Sequence, residues 1–129
     1  MNPKKGLTKF EIAIIIIFIV VLIPLIAFPK ASLDAIFRDE TRKTAINAIY
    51  YSLEKDFYAK NGYYPASLSA ETLPTVPEEL WRDPSGYEIN TPLGTYFYEP
   101  GDCFQNRCQK YLLKASLERE ADYLKTSQN

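Results

Sequence analysis

Histidine is missing from this chain of 129 residues, tryptophan occurs once, cysteine twice and glycine five times. Each shortage excludes something. Without histidine the commonest general base is unavailable, and two thiolates cannot by themselves fill a four-ligand zinc site. The few glycines form neither a phosphate-cradling loop nor a GxSxG nucleophile elbow. No block of one charge sign occurs either. Fifteen basic residues stand against 16 acidic ones, a formal net charge of −1, so the chain carries no basic footprint for nucleic acid. The neighbouring acids Asp39–Glu40 and Glu78–Glu79 do not face each other on a helix and read as solvated charges. No constellation meets the requirements of a catalytic site. The chain is expected not to be an enzyme and to need no cofactor and no metal.

What the chain does contain is one long uncharged stretch. The 17 residues from Ile12 to Phe28 carry no charge and a single helix breaker, Pro24. With its flanks the run reaches about 20 residues, enough at 1.5 Å per residue to span a bilayer core of about 30 Å. It exceeds the usual apolar region of a signal peptide, about 7–15 residues, and no small-x-small cleavage site follows, so a retained anchor is favoured. Lys4, Lys5 and Lys9 precede it, which predicts a single-pass protein with its N-terminus in the cytoplasm and the rest outside. Pro24 and Pro29 are expected to kink or locally unwind the span. Directly before the run stands Glu11. A carboxylate there is costly in lipid, about 2.5–3.5 kcal/mol at mid-membrane on insertion scales and less near the interface, and some partner must offset that cost.

Residues 31–61 hold no proline and no glycine and continue as helix, with Ser32 placed to cap a restart and Gly62 as the C-cap. Leu33, Ile36 and Phe37 form one apolar stripe. Ile46, Ile49, Tyr50, Leu53 and Phe57 form another at helical spacing. The stripes are about half a turn out of phase, which fits either two short helices or one long helix that packs on its own domain along one part and on other molecules along another. A proline-rich stretch from Gly62 to Gly94 follows, read as loop and turn, with Trp81 and the tyrosines as anchors in the core. "TYFYE" and "KYLLKASLE" read as strands, and residues from Ala121 onward as a frayed tail. The fold class is α+β, a long N-terminal helix packed on a small antiparallel sheet. Between the strands, Cys103 and Cys108 flank four residues at a hairpin tip. In the oxidising compartment that the topology predicts, a disulfide is the natural reading.

Three stretches together resemble a known family. "KKG" followed by "LTKFE" and the apolar run is similar to the class III signal of type IV pilins and pseudopilins. "SLEKDFYAKNGYYPASL" resembles the end of the long pilin helix and the turn behind it. "WRDPSG" with "YFYE" and "YLLKASLE" resembles the minimal sheet of small pilins and of the type II secretion major pseudopilin. The resemblance implies a pilin-like domain plan: a leader over 1–6, a membrane and assembly helix over 7–29 and an extracytoplasmic domain over 30–129. It implies that prepilin peptidase cuts between Gly6 and Leu7 and that the Leu7 amine is methylated. It further implies that Leu7, Thr8 and Glu11 serve assembly, Glu11 pairing with the Leu7 amine of a neighbouring copy, so that the acid is satisfied only in the polymer. Implied partners are further copies and other pilins in a helical filament, an assembly platform and an ATPase motor. Leu7, Lys9 and Phe10 depart from the family's usual residues. The calcium loop of secretion pseudopilins is not evident after "YFYE", where Glu99 and Asp102 are the only oxygen donors of note. A secretion pseudopilin and a signal-anchored binding protein that never polymerises remain alternatives.

Overall fold

The computed structural model describes residues 6–129, apart from the side chains of residues 27–29. The chain divides into two compact units, Met1–Asp34 and Ala35–Asn129. Helix α1 covers Lys9–Tyr51. It passes into a π-helical segment, Ser52–Tyr58, and a last α-helical turn α2, Ala59–Asn61. There is no restart at Ser32, so of the two arrangements that the stripes allow, the single long helix is found. Pro24 and Pro29 both lie inside α1, and the side chain of Pro29 is outside the described residues.

In the first unit every apolar side chain from Phe10 to Ile26 is exposed. This helix is long and apolar enough to cross a membrane, and none of its most apolar window is buried. The residues that a soluble core would hide here face outward all round the helix, which is the pattern of a segment whose solvent is lipid or other helices.

The second unit is α+β. Its sheet has four antiparallel strands: β1 (Tyr64–Pro65), β2 (Tyr96–Phe104), β3 (Arg107–Ala115) and β4 (Tyr123–Thr126). The nine-residue β3 is central. β2 pairs along one edge of it, while β1 and β4 pair with opposite ends of the other edge. Tyr111, Leu113 and Ala115 alternate inward on β3, as do Tyr96 and Tyr98 on β2. They meet a helix stripe of Ala45, Ile46, Ile49, Tyr50 and Leu53, with Leu73, Val76 and Trp81 closing the core from the connecting loop. That loop has little regular structure beyond a 3-10 turn, Glu78–Trp81, yet it is pinned. Asp83 is buried and accepts hydrogen bonds from the amides of Ser85, Tyr87 and Thr95. Gly62 ends the helix in the left-handed region at φ 72°, its amide bonded to Tyr58 O at 2.8 Å, a conformation that costs glycine little.

Two expectations are corrected. The stretch from Ala121 is not a frayed tail. It forms β4, in register from Leu112↔Thr126 to Ala115↔Tyr123, and Tyr123 Oη donates to Asn47 Oδ1 at 3.0 Å. Nor is Asp39 a solvated charge. It is 2% exposed, because its carboxylate accepts the amides of Glu118 and Arg119 at 2.9 and 3.0 Å and the Arg42 guanidinium at 2.7 Å.

Candidate functional site

The sequence directs attention to the start of α1. Residues 1–5, most of the expected leader, lie outside the described residues. Gly6 and Leu7 are exposed, so the bond between them is sterically open. Thr8 is the N-cap: Ile12 N donates to Thr8 O at 3.1 Å and closes the first turn. The Thr8 amide and hydroxyl both donate to Glu11 Oε2, at 2.7 and 2.9 Å, and the Glu11 amide donates back to Thr8 Oγ1 at 3.3 Å. This is a reciprocal capping box, in which a hydroxyl residue and a carboxylate three positions on satisfy each other's otherwise orphaned amides. The signal was present in the sequence as Thr8-Lys9-Phe10-Glu11, the T-x-x-E pattern before an apolar run.

The capping box amends one expectation. Glu11 does not wait for an assembly to find a partner, because Thr8 supplies one within the same chain. Only one of its two oxygens is used, however. Among the described residues Oε1 accepts no hydrogen bond. The carboxylate is therefore held by Oε2 at the foot of the apolar helix, beside the favourable end of the helix dipole, while Oε1 stays available to a cation from elsewhere.

The second group of sequence-selected residues lies at the β2–β3 hairpin. Cys103 and Cys108 are cross-strand partners and form a disulfide. Gln105 and Asn106 make the two-residue turn, both at positive φ, the backbone twist a tight hairpin requires. Of the two oxygen donors noted nearby, Asp102 is bound to Lys110 Nζ at 2.9 Å, and no cluster of metal-ligating side chains occurs among the described residues.

Sequence reasoning missed Glu54. It is 6% exposed and lies in the π-helical segment, where three consecutive residues, Ser52, Leu53 and Glu54, all turn inward. Its carboxylate accepts Tyr111 Oη at 2.7 Å, Tyr64 Oη at 3.0 and 3.1 Å, and the Gln128 amide at 3.3 Å. Burial, opposed by a bond with Asn129 and reinforced by Glu54, pushes the Tyr64 phenol up to about 12. Burial and the same carboxylate push the Tyr111 phenol up as well, so both phenols remain donors across the physiological range. The spacing could have found it: with Ile46, Ile49, Tyr50 and Leu53 at i, i+3, i+4 and i+7, Glu54 falls at i+8 on the same buried face, where an acid is unexpected unless donors meet it.

No protein-family model, curated protein or solved structure matches this chain.

Proposed function

We propose that the chain is a structural subunit of a type IV pilus-like filament. It is inserted in the cytoplasmic membrane with its N-terminus inside, cut after Gly6, methylated on Leu7 and polymerised through its apolar helix. The observation that carries this reading is the half-used carboxylate of Glu11 at the foot of a helix whose apolar residues are exposed on every side. Cutting after Gly6 leaves an ammonium on Leu7, one helical turn below Glu11. In a polymer of such helices, the Leu7 ammonium of one copy meets the free Oε1 of the next. Opposite charges attract strongly where the dielectric is low, and each relieves the other's desolvation. Contacts of this head-to-tail kind do not close on themselves and so propagate as an open helix. The long helix, irregular loop and small antiparallel sheet agree with the plan expected from the resemblance and support the same reading. Prepilin peptidase, an assembly platform and an ATPase motor are its partners.

Mass spectrometry of the mature protein provides the test. A chain beginning at Leu7 with one added methyl group is expected. A mature chain that retains Met1 would leave the non-polymerising anchor as the better account, and one that begins beyond Phe28 would make the apolar run a cleaved signal peptide; either overturns the filament reading. A type II secretion pseudopilin would be cut in the same way. The calcium loop expected of a secretion pseudopilin is not evident in the sequence after Glu99, which favours the pilus subunit.

A further inference from the structure

The nine-residue β2 is an edge of the sheet. β3 pairs with it on one side, while β1 and β4 take the other side of β3. An uncovered strand edge presents a row of amides and carbonyls on which a second strand can pair. In an antiparallel ladder, successive residues point these groups alternately toward the partner strand and away from it. On β2 the outward phase falls on Tyr96, Tyr98, Pro100 and Asp102, because both backbone groups of Tyr98 are bonded on the side away from β3. The Tyr98 amide donates to Asn90 Oδ1 at 2.8 Å, and Tyr98 O accepts Asn90 Nδ2 at 3.1 Å. The Asn90 amide donates to Tyr96 O at 2.9 Å. Asn90 thus meets the edge as a strand would, its side-chain amide standing in for a peptide group. Beyond it Pro100 has no N–H to offer. Asp102, at φ 52°, turns the backbone out of strand geometry, where the register with β3 passes from Gly101 to Cys103.

Asn90 itself sits at φ 62°, a region that asparagine tolerates better than most residues. A tight loop holds it there. The Thr91 amide and hydroxyl both donate to Glu88 O, at 3.3 and 2.8 Å, and the Gly94 amide donates to Thr91 O at 3.0 Å. A Cβ at Gly94 would lie 2.6 Å from Thr91 Oγ1 and 3.0 Å from Glu88 O, so the loop closes this tightly only with glycine there. From this arrangement we infer that Asn90 guards the β2 edge: it keeps copies of the domain apart by occupying the backbone groups through which two β2 strands would otherwise pair. Holding the loop does not require these bonds, since Asp83 and the Glu88–Gly94 turn already do so. The bonds match those of an added strand. One residue exchanges both bonds with Tyr98, as in a hydrogen-bonded pair of antiparallel strands. Without the Asn90 side chain, two copies related by a two-fold axis make the same exchange with each other, Tyr98 opposite Tyr98. Tyr96–Tyr98 is aromatic and uncharged, a composition that favours strand pairing and does not oppose it. The guard acts wherever the exposed apolar helix gathers copies at high local concentration, and it does not rest on the proposed filament.

The test compares the full-length chain with its Asn90→Gly variant in detergent micelles, each as a mixture of isotopically light and heavy copies. Glycine keeps the positive φ and the backbone bond to Tyr96 O and removes only the side chain. Exchange of the Tyr98 amide should quicken by about tenfold or more, while that of the buried Leu113 stays slow. Benzoylphenylalanine at position 99, where Glu99 is exposed, should then give a light–heavy adduct within residues 96–100 of the second copy, at about tenfold or more the yield found with Asn90 in place. Asn90→Asp keeps Oδ1 for the Tyr98 amide and loses the donor to Tyr98 O, so it should give a smaller rise. It also takes the place of the glycine variant if that one loses protection at Leu113. An adduct of equal yield with Asn90 in place would overturn the inference. So would a Tyr98 amide that stays protected in both variants, or a freed Tyr98 amide with no adduct or with one only elsewhere in the chain.

Discussion

Glu54 illustrates what can and cannot be read at the scale of one residue. The apolar members of the helix stripe, Ile46, Ile49, Tyr50 and Leu53, are legible because burying them follows from spacing alone, and all four are in the core. The inward position of Glu54 follows from the same spacing, but that an acid is tolerated there is not legible, because it depends on donors far away in sequence: Tyr64, Tyr111 and Gln128. The sequence places Asp39 among the solvated charges for the same reason, since the amides that make its burial tolerable belong to Glu118 and Arg119. A buried carboxylate is stable only while its donors last. Tyr111→Phe removes the shortest bond to Glu54 and nothing else of comparable size. Hydrogen bonds to a charged group contribute about 1.5–3 kcal/mol, and a loss in that range is expected in chemical denaturation of the detergent-solubilised chain. Exchange of the Gln128 amide should quicken as well, because that amide bonds to the same oxygen. If Tyr111→Phe is neutral in both measurements, Glu54 is not the point that fastens this segment to the core.

At the scale of elements, β4 and the turn before it show how a short segment is held. Tyr123–Thr126 is only half-buried and contains a lysine, so its own pattern is too weak to announce a strand. It becomes one because β3 offers a free edge and because the preceding turn is clamped to α1. Arg38 grips Glu118 with two bonds, of 2.7 and 2.6 Å, and Arg42 reaches Glu118 at 2.9 Å. Arg38 and Arg42 hold the Glu118 carboxyl down at about 2. For Asp39, burial pushes upward, but the two amides and Arg42 outweigh it and hold the group below the usual range. Both carboxyls are depressed by folding, so their contribution is complete above the unfolded value and is lost as pH falls through the folded one. For Glu118 that window runs from 4.5 down to about 2. The unfolding midpoint should therefore drop over that range, and Glu118→Gln should flatten the dependence. Asp39→Ala, which leaves two amides and Arg42 without their acceptor, is expected to cost about 3–5 kcal/mol at neutral pH; an unchanged midpoint would show that the clamp holds little. The hairpin was more legible than β4, since two cysteines with four residues between them, set between apolar strands, have few other uses. Reducing the bridge should cost about 2 kcal/mol on the chain-entropy account, measured as the shift in denaturation midpoint with and without reductant, and should leave β1–β3 pairing in place.

At the scale of the whole molecule, the question is whether Glu11 serves its own helix or a neighbouring copy. Its position before the apolar run and its T-x-x-E spacing from Thr8 are plain in the sequence, whereas the use of Oε2 alone in those bonds is not. The two roles separate by substitution, because they need different things from the side chain. Capping needs an acceptor oxygen, which Glu11→Gln retains and Glu11→Ala loses. Pairing with an ammonium needs the negative charge, which both variants lose. Loss of a cap costs about 0.5–2 kcal/mol. Leaving a neighbour's ammonium unpaired in an apolar core costs about 3–5 kcal/mol, which at 1.4 kcal/mol per tenfold weakens each addition step by about 10²–10³. Both variants should therefore insert in the membrane and fold their α+β unit normally, and both should lose most of their filaments. Glu11→Asp, which keeps the charge on a stem one methylene shorter, should be intermediate. Thr8→Val keeps the charge and removes only the hydroxyl, so it should assemble better than Glu11→Gln. The measurement is the ratio of sheared filament to membrane-retained protein in the four variants. If Glu11→Gln assembles like the unaltered chain while Glu11→Ala and Thr8→Val do not, the carboxylate is a helix cap and the charge plays no part in assembly. If all four assemble normally, the start of α1 is not where copies recognise one another. In either case the contact that sets their register has to be sought further along the exposed helix or on the domain.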